Sequence, residues 1–177
     1  MTDFTIRDGD VVDQAKLWAF LAHNHERVTG EPYTEHLRRV AEIVAEHGGD
    51  PAAQATAWLH DILEDTPIRL HQVLEAFGKH IARDVYALTD PPEIRGLGAE
   101  WRHARLVALA PTLSPTAILV KLADIYDNAQ TMASAKPEYF EAWRDAKYEI
   151  IFRLHRVKDH DQIRRLTLTA LGTMEAK

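Results

Sequence analysis

The stretch TAILVKLADIYDNAQTM, residues 116 to 132, decides the architecture. Ala117, Ile118, Leu119, Val120, Leu122, Ala123 and Ile125 leave almost no polar face in its first turns, and a helix that is apolar nearly all round belongs in the centre of a fold. Ser114-Pro115, just ahead of it, is a capping residue followed by a first-turn proline, which opens helices. Asp124 is the anomaly in this run, because a buried carboxylate is costly unless it is paired or holds a metal. Lys121, three residues earlier, offers a pairing, and Asn128, one turn later on the same face, offers a neutral hydrogen-bonding group.

Outward from this helix, apolar residues recur at helical spacing nearly everywhere and no segment alternates as a strand does, so the chain reads as all-α. The pattern predicts a first helix over 11–25, broken by GEPY at 30–33. A second runs from Thr34 to about His47, with Leu37, Val40, Ala41, Ile43 and Val44 on one face and Gly48-Gly49 at its end. Asp50-Pro51 opens a third through Trp58, Leu59, Ile62 and Leu63, which stops near Asp65 because Pro67 turns Thr66 away from helical angles. Two shorter helices near 69–77 and 79–89 flank Gly78, TDPPEIRGLG (89–98) reads as a loop, and another helix covers about 99–110. From Pro137 to about Leu171 the pattern gives one long and one short helix packed outside, with frayed last residues. With 177 residues and no internal repeat or linker, the chain reads as a single domain over 1–177.

Composition narrows the chemistry. Acidic residues outnumber basic ones 27 to 21, giving a net charge of -6 and no global field that invites nucleic acid or anionic lipid. No apolar run approaches the roughly 20 residues of a membrane span. MTDFTIRDGDVVDQ has neither a basic nor an apolar targeting region, so the expectation is a soluble, cytoplasmic protein. The absence of cysteine excludes thiol catalysis and thiolate metal sites, and ten histidines leave imidazole and carboxylate as the strong ligands. The apolar pattern specifies no oligomeric state.

In WLHDILED (58–65), His60 and Glu64 are four apart, as are Asp61 and Asp65, so on a continuous helix each pair shares a face. A His-Asp dipeptide alone is no more than an acidic helix end. It gains weight from His36, beside the apolar stripe of the second helix, and from Asp124. Two imidazoles and two carboxylates from three helices would suit Mn²⁺, Fe²⁺ or Zn²⁺, with coordination positions left for water.

The chain resembles the HD-domain hydrolases of the RelA/SpoT type, especially the single-domain small alarmone hydrolases. The matching stretches are RVTGEPYTEHL (27–37), WLHDILEDT (58–66), FGKHIARDVYALTD (77–90), LSPTAILVKLADIYDNA (113–129) and, more loosely, PEYFEAW (137–143), in family order over about 23–143. The resemblance implies an all-α HD-domain bundle with a metal site between its central helices. It also implies Mn²⁺-dependent removal of the 3′-pyrophosphate from ppGpp or pppGpp. Metal ligands would then be His36, His60, Asp61 and Asp124. The catalytic acidic pair would be Glu64, the base, and Asp65, which orients it or the ligand shell, and Asn128 would hold the water or the ribose side. The two extra carboxylates beside the ligands should raise one of their own pKa values.

For an anionic substrate, the resemblance puts Arg27 against the guanine base. Lys121, Arg102, Arg105 and Lys136 are phosphate candidates or ordinary surface cations. Tyr139 matches a tyrosine of the nucleotide pocket, with core packing as its competing use. The chain departs from the family at Leu37, where proline is common, and at Ala135, where a basic residue is usual. It departs again at Ile125, Tyr126 and Asp127, which remove a cation and add a repulsive carboxylate. That departure motivates a second reading, an HD phosphohydrolase acting on NADPH or a nucleoside phosphate. A third, a non-catalytic nucleotide-binding HD module, would not require Glu64 and Asp65. His71, His80 and His103 lack the spacing of a second metal site, and His23, His25, His47, His155 and His160 read as surface or helix-end residues.

Overall fold

Proline, glycine and short polar side chains set most of the helix ends. The computed structural model describes residues 11–27, 29–154 and 161–173, and among these the only strand-like feature is an isolated bridge between Glu26 and Pro32. Helices α1 (Val11–Ala22), α2 (Tyr33–Glu46) and α3 (Pro51–Leu59) are followed by a single turn, α4 (Ile62–Asp65). Then come α5 (Leu70–Leu88), the short α6 (Pro92–Arg95), α7 (Ala99–Leu109), α8 (Pro115–Ala135), α9 (Pro137–Leu154) and α10 (Asp161–Thr173). His155 and His160 lie outside the described residues.

The expected caps form. The Asp50 carboxylate accepts the Ala53 amide at 2.8 Å and the Ser114 hydroxyl accepts the Ala117 amide at 3.0 Å, each just ahead of a first-turn proline. Gly78 has φ 77° and ψ 173°, so α5 is two helical segments meeting at a left-handed kink, as the sequence predicts. At the end of α2 the Gly49 amide donates to the Val44 carbonyl at 2.8 Å, and a Cβ there would lie 2.4 Å from Val44 Cγ1. Only glycine fits that closing turn.

Helix α8 occupies the centre, packed against α2, α3, α5, α9 and α10. Ala117, Ile118, Leu119, Val120, Leu122, Ala123 and Ile125 are all buried. The α1 and α2 helices close over α3, so the middle of the bundle is lined by α2, α3 and α8.

Three boundaries differ from the expectation. Helix α1 stops at Ala22, and ahead of α2 the Arg27 amide donates to Glu31 O (2.9 Å), while the Tyr33 amide at the start of α2 donates to His25 O (3.1 Å). The loop 89–98 contains the single turn α6. Most consequential, the third helix breaks at His60-Asp61. The His60 Nδ1 hydrogen takes the Ala57 carbonyl at 2.8 Å, the acceptor a continuous helix would give to the Asp61 amide. Asp61 relaxes to φ -102°, ψ 0°, and its carbonyl starts α4 by accepting from Glu64 and Asp65 amides at 3.0 and 2.9 Å. The i,i+4 face predicted for His60 and Glu64 is therefore interrupted, while the Asp61 carbonyl and Asp65 amide keep the i,i+4 register.

Candidate metal centre

Three helices converge on one buried group. His36 from the first turns of α2, His60 from the break after α3 and Asp124 from the middle of α8 each bring a ligand atom within 4.8 Å of the others. His36 Nε2 is 3.4 Å from Asp124 Oδ1, His60 Nε2 is 3.9 Å from it, and the two imidazoles meet edge to face at 5.4 Å. His60 Nε2 is buried and, among the described residues, has no hydrogen-bond partner. Its nearest polar neighbour is the Asp61 carboxylate at 3.0 Å, so the nitrogen lies among carboxylates where a cation would also be held. The donor set of two imidazoles and a carboxylate fits a divalent transition ion.

Asp61, expected as the fourth ligand, stands beside the trio. Its Oδ2 is 3.0 Å from His60 Nε2 and accepts the Tyr33 hydroxyl at 2.5 Å. Burial works against a charged His60 ring, yet the Asp61 and Asp124 carboxylates raise its pKa to about 9. A metal binding here therefore displaces protons.

The side chains of this trio are themselves hydrogen-bonded from behind. Asp124 accepts from Lys121 Nζ at 2.7 Å and from Asn128 Nδ2 at 2.6 Å. Both pairings suggested by the sequence thus occur together. Asn128 Oδ1 accepts from Arg27 at 2.6 Å, so Arg27 reaches the centre through an amide, and it is tied to Glu31 as well. Asp127, expected to repel substrate, instead turns inward. It is 3 % exposed, pairs with His36 Nδ1 at 2.7 Å and Arg39 Nε at 2.5 Å, and fixes the His36 ring so that Nε2 faces Asp124. Hydrogen bonds to His36 and Arg39 overcome burial and hold its carboxyl below the usual range. Ile125 is core. The departures at 125 and 127 thus build the bundle and the ligand shell rather than facing outward.

Glu64 and Asp65 part company at the break. Glu64 accepts the Asp90 amide at 3.1 Å and Arg102 at 3.0 Å, while Asp65 lies with His23 and His25. Both carboxyl pKa values are raised, by burial first and by the Asp61 charge second, so crowding is the lesser cause. Arg102 and Arg105 both bridge to Asp90, at 2.6 and 3.3 Å. Tyr139 is 61 % exposed, which overturns core packing as its use. His23, expected on the surface, is buried with its ring stacked on Tyr33 at 5.1 Å, and burial lowers its pKa to about 4. Sequence reasoning also missed Lys147 of α9. Burial and the nearby Lys121 bring its pKa down to about 8, and its ammonium sits 5.6 Å from the Trp143 ring centre. No local motif marks it, only its place on the face of α9 that turns inward.

The sequence profile described as HD domain matches residues 15–150. The chain belongs to the HD-domain family. The matched span contains His36, His60 and Asp124 and ends inside α9, short of α10. A guanosine-3′,5′-bis(diphosphate) 3′-pyrophosphohydrolase of Aquifex aeolicus is 37% identical over 107 residues, covering 60% of this chain and 15% of that protein. The bifunctional (p)ppGpp synthase/hydrolase SpoT of Escherichia coli is 34% identical over 129 residues, covering 71% of this chain and 18% of that protein. The HD domain thus spans less than a fifth of the length of these curated relatives. A solved structure described as a metazoan ortholog of SpoT that hydrolyses ppGpp superposes with a TM-score of 0.82 at 21% identity, over 97% of this chain and 98% of that one. That likeness carries the fold. Among the described residues no helix is long and apolar enough to cross a membrane.

Proposed function

We propose that the protein is a Mn²⁺-dependent, cytoplasmic hydrolase that removes the 3′-pyrophosphate of ppGpp or pppGpp, leaving GDP or GTP. The observation that carries the reading is the buried His36, His60 and Asp124 group, with two imidazoles and a carboxylate brought together from separate segments. The named activities of the Aquifex and Escherichia relatives support the substrate class. His36, His60 and Asp124 would hold the ion, with Asp61 completing the set from its position against His60. A bound divalent ion lowers the pKa of its water and offsets charge on phosphoryl oxygens. Fe²⁺ and Zn²⁺ suit the same donors.

The chain's own residues then divide the work. Glu64 takes a proton from water, a task helped by burial, which raises its pKa above the ordinary carboxylate value. Asp65 steers the same region from the other side of Asp61. Asn128, fixed between Arg27 and Asp124, presents a rigid amide to water or ribose. Arg102, half exposed beside Glu64, and Lys121 supply the positive charge an anionic nucleotide needs. Arg27 and Tyr139 serve the base end. Because Asp127 and Ile125 face inward, the ground for preferring a different nucleotide is reduced, and the carboxylates at 64 and 65 argue for turnover over mere binding.

Mn²⁺-loaded protein incubated with ppGpp should give GDP and pyrophosphate, and His60→Ala with Asp61→Ala should abolish this. Intact ppGpp alongside phosphate release from NADPH or a nucleoside phosphate would transfer the assignment to that substrate.

A further inference from the structure

The loop between α1 and α2 brings His23 and His25 up to Asp65 of α4, and the proposed reaction uses neither imidazole. One atom each of His23, His25 and Asp65 lies within 4.8 Å of the other two. His23 is 5 % exposed and, among the described residues, neither of its ring nitrogens has a hydrogen-bond partner. An imidazole buried with both polar atoms unanswered is unfavourable unless something else meets them.

The backbone holds these rings in place. The His23 amide donates to Ala19 O at 3.0 Å, extending the last turn of α1, and His25 O accepts the Tyr33 amide at 3.1 Å. The Tyr33 ring lies 5.1 Å from His23 and 4.6 Å from His25, so both imidazoles are braced against one aromatic plane. Asp65 closes the set from the end of α4. Its neighbours His25 and Asp65 are exposed while His23 is not, so the set has a closed back and an open front.

We propose that His23, His25 and Asp65 form a second divalent-metal site, separate from the His36, His60 and Asp124 group, that takes a borderline transition ion of the zinc type. Two imidazole nitrogens and one carboxylate oxygen are the donors zinc takes in open three-ligand sites, with water filling the exposed positions. Hard ions such as Mg²⁺ prefer an all-oxygen set and are disfavoured here. Tyr33 stands between the two sites, stacked on His23 and bonded through its hydroxyl to Asp61 at 2.5 Å. Occupation of the second site would draw the Asp65 carboxylate to the metal, in addition to the steering role proposed for it above.

The test uses the full chain, stripped with chelator and titrated with Zn²⁺, with bound metal counted by mass spectrometry of the elements and folding checked by circular dichroism. Wild type should bind two ions per chain and His25→Asn, altered at an exposed position, should bind one. His36→Asn should also bind one, the ion at the second site. A single ion in wild type that survives His25→Asn would overturn the proposal, as would two ions in both proteins. A single wild-type ion lost in His25→Asn but kept in His36→Asn would support this site and remove the metal from the proposed reaction, so the two readings fail separately.

Discussion

Asp127 is a carboxylate whose value to the site lies in what it does to its neighbour. It accepts from His36 Nδ1 and from Arg39, and so decides which His36 nitrogen is free to face Asp124. Replacing Asp127 by Asn preserves its volume but removes the charge that holds both partners. Mn²⁺ affinity should fall about 10- to 100-fold, measured by calorimetric titration, with helical content unchanged. His23 makes a different kind of prediction. Its folded pKa is about 4, against 6.5 for a free ring, so between these values the unfolded chain binds a proton that the folded one refuses. Its contribution is therefore complete above pH 6.5 and is lost as the pH falls towards 4, on the order of 3 kcal/mol for a group this buried. In metal-free protein, the melting temperature of His23→Phe should fall less over that interval than that of wild type. Equal slopes would refute the assignment.

Helix ends were legible in the sequence where side-chain chemistry announces them. Asp50-Pro51, Ser114-Pro115 and Gly78 each act through one or two residues, and each does what its residue type dictates. Since Gly78 sits at φ 77° with open space where a Cβ would point, Gly78→Ala should meet strain alone. A loss of roughly 1–3 kcal/mol is expected, read from the urea midpoint at unchanged slope. The break at His60-Asp61 was not legible. Apolar residues continue through Trp58, Leu59, Ile62 and Leu63 in helical register with no glycine or proline between them, and the interruption comes from an imidazole competing for the Ala57 carbonyl. In the same way, α6 hides in a stretch whose prolines and glycines read as loop.

For the whole molecule, the ordered motifs carried the family and the all-helical bundle, and His36, His60 and Asp124, which the resemblance implies as metal ligands, lie together in the fold. What stayed hidden was everything that depends on distant segments meeting: the inward turn of Asp127, the stacking of His23 on Tyr33, and the approach of Lys147 from α9. Because the centre is assembled only in the folded state, an ion that fills it binds the native chain alone. Saturating Mn²⁺ should then raise the melting temperature, by about 2.7 kcal/mol of added stability at a hundredfold excess over the dissociation constant, and chelator should reverse it. No shift on adding Mn²⁺, Fe²⁺ or Zn²⁺ would count against a metal at the centre.

The bonds from Arg27 to Asn128 and from His36 to Asp127 join residues 101 and 91 positions apart. Loops of that length close late, after local helices have formed, because their entropy must be overcome before the contact rewards it. The helices of this bundle can therefore exist before its centre does. During synthesis α2 emerges with His36 and the break after α3 with His60, and the proposed receptor stays unfinished until the middle of α8 arrives with Asp124. Metal capture at the His36, His60 and Asp124 group is in this sense a report that the chain has closed on itself, and a chain lacking α8 would lack that group.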